Sequence, residues 1–342
     1  MNIKKAKEPY VPVLKTKKSI NEEAKIKIQE ERSGKQLGLK TRFGRLNIAI
    51  GRYFRFKQVT SINGLSGHGK STLLNMILED FTNAKINSKF TEPVVIVHNT
   101  WEMVPEDEVI RGLASKVEKS HLYLLSSEFD RETGKYNTVS DLEIEEFFNV
   151  LDKEEDKDHY YFDEATTLNG IIENIKHAIR FYQDKYAQEI EVGNKKAIPK
   201  VVVALDHTLL TVGEKGETIN DIMFGLSRLA IYLKKKGYMV IFVGQLNNEI
   251  EKLERVRNIE GHFPIKSDIY AQAQLFNACD TVITIHQPEL LGIFFYGRNQ
   301  YKTSNLMHLQ ILKQRFGKVG SVWLYNDLGK GRVYETTPEK KE

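Results

Sequence analysis

The stretch Gly64-Leu65-Ser66-Gly67-His68-Gly69-Lys70-Ser71 constrains this chain more than any other part of it. It has the spacing G-x-x-x-x-G-K-[ST]. It follows the apolar run FKQVTSI and opens the amphipathic run STLLNMILEDF. A strand, a glycine-rich turn and a helix N-terminus in that order form a cradle for phosphate. The glycines let successive N–H groups curl inward, and the helix end adds partial positive charge. Gly64, Ser66, Gly67, His68, Gly69, Lys70, Ser71 and Thr72 are therefore the expected contacts to a nucleotide triphosphate. Lys70 is placed to reach the β- and γ-phosphates and the Ser71 hydroxyl to ligate magnesium.

The rest of the chain fits such a cradle. Strand-like runs at Phe56–Ile62, Val94–Asn99, Lys200–Asp206, Tyr238–Gln245, Thr281–His286, Leu306–Gln314 and Ser321–Asn326 alternate with helix-like segments at 71–81, 106–119, 168–188 and 219–236. This alternation predicts an α/β fold, a mainly parallel twisted sheet with helices on both faces. Only Arg315–Gly320 joins the last two runs, which predicts an antiparallel hairpin at the sheet edge.

A magnesium site at such a cradle needs an acid at the end of a neighbouring strand. Tyr160-Tyr161-Phe162-Asp163-Glu164 and Val201-Val202-Val203-Ala204-Leu205-Asp206 compete for the role. The second is a continuous β-branched run, as a strand buried on both faces should be, and Asp206 is chosen. Asp163 is then a cap for the helix near Leu168 or part of a surface loop. Glu102 follows the Val94–Asn99 strand, where ligands bind in open α/β sheets, and can act as base for an attacking water. Gln245 ends another strand and can sense the γ-phosphate.

Composition excludes other classes. Hydrophobic residues are 41% and charged residues 28% of the 342, so disorder throughout is excluded. No apolar run approaches the roughly 18 residues that span a bilayer, and no apolar signal core follows the first methionine. Membrane insertion and secretion are not expected. Cys279 is the single cysteine, which excludes an internal disulfide and suits a reducing cytoplasm. A net charge of +4 does not by itself argue for nucleic acid.

The motifs also occur in a telling order: the glycine cradle, Glu102-Met103, the Asp206 strand, VGQLNNEIEKLER, SDIYAQAQLFNACD, and finally Lys313-Gln314-Arg315-Phe316-Gly317. This order resembles the C-terminal motor domain of DnaB-like replicative helicases, the RecA-like superfamily of hexameric P-loop motors. The similarity runs from about Gly38 to Glu335, and GLKTRFGRLNIAI is similar to the entry of that domain. KQRFG after the QLN motif is its most specific part.

The resemblance implies ATP and Mg2+ as cofactors and a homohexamer that unwinds DNA while moving on a single strand. It implies Glu102 as the catalytic glutamate and Gln245 as the link from γ-phosphate to DNA. Lys313 and Arg315 would be the pair supplied to a neighbour's ATP, with Arg315 the arginine finger. A helicase loader, primase or polymerase would be partners. The implied organisation is a basic arm (1–18), a linker helix (19–36) that docks on the neighbouring subunit or on its own domain, the motor (37–336) and a tail (337–342). Ser19 and Glu22 form a capping-box pattern at the start of that helix, with Gly34 as its stop. A RecA-like DNA-dependent ATPase of recombination or strand loading, forming a filament, is the alternative.

The chain also departs from the pattern. Only about 36 residues precede the motor, as in phage or plasmid systems, whose host cytoplasm would then be the location. The DNA loop carries Tyr270 where the family has arginine, with Gln272 beside it. Tyr270 stacks on a base or belongs to the core. Lys215, in the loop GEKGETI, is a further candidate DNA contact. The acidic stretch DLEIEEFFNVLDKEEDKD reads as an amphipathic surface helix and a candidate docking site.

Overall fold

The computed structural model describes residues 14–187, 198–258, 260–270 and 273–341. The chain divides into two units, Met1–Leu37 and Gly38–Glu342.

In the first unit, α1 spans Lys17–Arg32 and buries none of its residues. Its cap is Thr16, whose side chain accepts from the Ser19 N–H at 3.2 Å, rather than the expected Ser19. Helix formation thereby begins inside the expected basic arm, whose first 13 residues lie outside the described ones. Ile20, Ala24 and Ile28, the expected apolar stripe, are all exposed.

The second unit is built on nine strands. They are β1 (Val59–Gly64), β2 (Val94–Thr100), β3 (His159–Phe162), β4 (Lys200–Asp206), β5 (Met239–Gln245), β6 (Thr281–His286), β7 (Leu306–Gln314), β8 (Gly320–Asp327) and β9 (Arg332–Glu335). Their order across the sheet is β9-β8-β7-β6-β1-β5-β4-β2-β3. From β6 to β3 all pairings are parallel; β6–β7, β7–β8 and β8–β9 are antiparallel. The expected parallel sheet and edge hairpin are both present. Three of the expected strands, β4, β6 and β7, have the expected limits.

The interior strands are apolar throughout because both faces are covered. Along β4, Val201, Val203 and Leu205 pack on one side of the sheet, and Val202 and Ala204 on the other. One face is covered by α2 (Lys70–Phe81), through Leu73, Leu74 and Ile77. α3 (Pro105–Val117) and α4 (Asp141–Asp152) follow β2 and share a small core of Leu113, Val139 and Phe147. The other face is covered by α5 (Leu168–Lys185), through Ile171 and Ile175, and by α6 (Ile219–Lys236), through Leu226 and Leu229.

Two edge strands escape a sequence reading. β3 has only four residues, all half-buried, and pairs on one side only, so it lacks the continuous apolar run of an interior strand. Asp163 is exposed beyond its end. The cap of α5 is instead Thr167, which accepts from the Gly170 N–H. β9 likewise has one neighbour and four residues. The acidic helix α4 has a capping box of Ser140 and Glu143; Phe147 is buried while Leu142 and Phe148 are exposed.

Candidate active site

Four adjacent strands, β1, β5, β4 and β2, run parallel, so their carboxyl ends lie side by side. Gly64 is level with Gln245, and Thr100 with Asp206. The sheet alone therefore gathers the glycine turn, Gln245, Asp206 and the segment leading to Glu102 at one end of its strands.

The turn itself needs its glycines. Gly67 and Gly69 have φ of +75° and +80°, a left-handed conformation costly for other residues. A Cβ on Gly69 would stand 2.9 Å from Met307 Cε, and one on Gly64 3.0 Å from the Ile285 carbonyl oxygen. Gly69 is the N-cap of α2, so the helix begins at Lys70 with its free N–H groups facing the turn. A cavity of about 710 Å³ opens there, bounded by Ser66, Gly69, Lys70, Ser71, Glu102 and Leu328. That volume suits a nucleotide.

Lys70 is buried, and its Nζ donates to the Leu65 carbonyl at 2.9 Å. Burial pulls its pKa down, against the opposing charges of Glu102 and Asp206. Asp206 is 2% exposed, and burial raises its pKa against the hydrogen bond from Ser71 and the charge of Lys70. A hydroxyl and a carboxylate joined in this way beside a buried ammonium fit a magnesium ion held between Ser71 and Asp206. Glu102 is exposed at the mouth. His68 is pinned by its Nδ1 accepting from the Gln287 N–H at 3.0 Å. Burial, helped by the Lys70 charge, lowers its pKa to about 4, so it is neutral. Thr72, the third residue of α2, borders the same cavity.

His207, directly after Asp206, was not singled out from sequence. It has φ of +70° and places Nε2 3.2 Å from Gln245 Oε1. A non-glycine residue in that conformation stores strain at a strand end. Gln245 is in turn tied to the Tyr270 loop. The Tyr270 N–H donates to the Gln245 carbonyl at 2.9 Å, and the Asn247 N–H to the Asp268 carbonyl at 2.6 Å. Tyr270 itself is 47% exposed, which removes it from the core. Lys215 is exposed in its loop, and Gln272 lies outside the described residues.

Glu108 and His98 were also missed, because acids near a helix start and polar residues in a strand ordinarily face water. Here both are buried. The Thr100 hydroxyl donates to Glu108 Oε1 at 2.6 Å, and burial pushes the Glu108 carboxyl up to about 7.

Lys313 and Arg315 are not brought to this end of the sheet. Lys313 is level with Val282, and the Arg315 N–H donates to the Asp280 carbonyl, before β6 begins. Gly64 is level with Ile285, so Arg315 sits about 16 Å down the sheet, at 3.3 Å per residue. Its guanidinium lies 3.2 Å from the buried Asp280 carboxylate, which also accepts from Lys234. Lys313 Nζ donates to the carbonyls of Phe276 and Asn277. Arg315 itself stands just past the end of β7, so the two do not share a strand face.

The fold is similar to that of RecA-like ATPase domains of DnaB-like helicases. A solved ATPase domain matches it over 92% of this chain and 98% of that one, with a TM-score of 0.67 at 15% identity. A structure of a DnaB-like replicative helicase and its interactions with primase matches over 92% of this chain and 67% of that one, with a TM-score of 0.66 at 15% identity. No family model and no curated protein matches the sequence.

Proposed function

We propose that this protein is the ATP-driven motor of a replicative DNA helicase. It hydrolyses ATP with Mg2+ at the subunit interfaces of a homohexameric ring and moves on single-stranded DNA to unwind duplex. The observation that carries this reading is the placement of two groups of residues at opposite ends of one sheet's strands. Lys70, Ser71, Glu102, Asp206 and Gln245 meet at one end, and Lys313 and Arg315 lie toward the other. A chain so arranged cannot complete its own site, and a head-to-tail neighbour can.

In this reading each residue has its own role. The turn and Lys70 hold the phosphates, and Ser71 and Asp206 would hold magnesium, which would supply charge stabilisation to the phosphates. Glu102, at the mouth, orients and deprotonates the attacking water. Arg315 of the next subunit stabilises charge developing on the transferred phosphoryl group. Loss of the γ-phosphate is felt by Gln245 and passed to the Tyr270 loop through the bonds between them. The exposed Tyr270 ring stacks on a base, with Lys215 and Gln272 as further track contacts. α1, with its exposed isoleucines, docks on the neighbouring subunit. A loader, primase or polymerase would complete the assembly.

ATP turnover by the full chain with Mg2+, with and without single-stranded DNA, tests the reading, together with unwinding of a forked duplex. DNA-stimulated turnover and strand separation by closed rings are expected. Stimulated turnover without unwinding, on helical filaments in electron micrographs, would favour the recombination or strand-loading ATPase. Turnover indifferent to DNA would refute both.

A further inference from the structure

Two buried side chains beside Asp206 remain unexplained by this reading. His98 on β2, Glu108 on α3 and Asp206 on β4 are 0%, 4% and 2% exposed. Each offers one ligand atom, and those atoms lie within 4.8 Å of one another. Glu108 Oε2 and Asp206 Oδ1 each lack a hydrogen-bond partner. Two carboxylate oxygens left unpaired in a dry interior are costly, and such groups in a native fold call for an occupant.

We infer that His98, Glu108 and Asp206 form a second cation site, for a first-row divalent transition metal, that fills without nucleotide. The separation of His98 Nδ1 from Glu108 Oε2 is 3.5 Å. Two ligands each about 2.1 Å from a tetrahedral ion stand about 3.4 Å apart. One imidazole with two carboxylates favours Mn2+, Fe2+ or Zn2+ over Mg2+, which prefers oxygen and water. The remaining Glu108 oxygen is fixed by Thr100, an orienting bond of the kind metal ligands receive. An entry path exists: a cavity of about 370 Å³ reaches Glu108 between Asn75, Arg111, His159 and Tyr161. His159 Nε2, 3.4 Å from His98 Nδ1, is the competing partner for that nitrogen. In the site as inferred, His159 turns aside or joins as a further ligand. The ion would hold the Asp206 carboxylate in one orientation before nucleotide arrives. The inference shares Asp206 with the proposed function but does not need ATP turnover or DNA.

The test uses the full chain without nucleotide, dialysed against Mn2+ in the presence of excess Mg2+. About one Mn2+ retained per chain is expected, with a rise in Tm. His98→Ala and Glu108→Gln should each weaken retention at least tenfold. Glu108→Gln is nearly isosteric, and circular dichroism reports whether each variant is folded. The wild-type Tm shift reads the site without any substitution. No Mn2+ retained over Mg2+ by the wild type overturns the inference. So does retention by folded His98→Ala and Glu108→Gln equal to wild type. A chain that loads Mn2+ but never turns over ATP would refute the proposed function alone.

Discussion

His308 gives a prediction whose size can be worked from its surroundings. It is 1% exposed on β7, stacked on Trp323 with ring centroids 4.2 Å apart. Its Nε2 bonds the Ser321 hydroxyl and its Nδ1 the Tyr296 hydroxyl, at 2.9 and 3.3 Å. Among the described residues no carboxylate bonds it, and burial lowers its pKa from 6.5 to about 3. A histidine with a depressed native pKa takes up its proton more readily when unfolded. Stability is therefore held above pH 6.5 and lost as pH falls from there toward 3. At pH 5 the unfolded chain is protonated at this residue and the native one is not. Between pH 7 and 5 the group costs about 2 kcal/mol, from 1.36 kcal/mol per pH unit over roughly 1.4 effective units. His308→Phe keeps the stacking but leaves Tyr296 and Ser321 without their partner, a loss of about 1–3 kcal/mol at pH 7. The deficit should shrink by about 2 kcal/mol at pH 5. Urea unfolding of both proteins at pH 7, 6 and 5, followed by tryptophan fluorescence, measures it. His68 and His98, with pKa values of about 4 and 3, steepen the acid loss in both proteins, and Glu108, raised to about 7, opposes it, so only the difference isolates His308. An equal deficit at pH 7 and 5 would refute a neutral buried His308.

Lys70→Ala removes the buried ammonium from the phosphate turn and should weaken ATP binding at least tenfold, as charge-assisted bonds of about 1.5–3 kcal/mol imply; a fluorescent-nucleotide titration with unchanged affinity would sink the assignment. Gly69→Ala combines a φ of +80° with a contact at 2.9 Å, and should cost about 1–3 kcal/mol in thermal or urea unfolding and impair nucleotide binding. Arg315→Ala should bind ATP normally yet lose about 10³-fold or more in turnover. Doped into wild type, it should depress the rate more than in proportion, and a strictly proportional loss would argue against a residue shared between subunits.

Periodicity and turn chemistry carried most of the fold into the sequence. The run Val201–Asp206 had to be a strand buried on both faces, since no exposed element is apolar at every position. Gly67 and Gly69 before Lys70 had to form a turn between strand and helix, since only glycine takes that path without strain. Such signals are local, and they placed the glycine turn, Asp206, Glu102 and Gln245 at strand ends. What they could not carry is the neighbourhood of each end. That β1, β5, β4 and β2 are adjacent follows from sheet order, which depends on long crossovers packing together. Only that order seats His207 against Gln245, joins Gln245 to Tyr270, and leaves Arg315 toward the far end. Burial of Glu108 and His98 was equally hidden, because a charged residue in a helix's first turn is ordinarily a solvated dipole partner. Tertiary packing alone decided that here it faces the interior and Asp206.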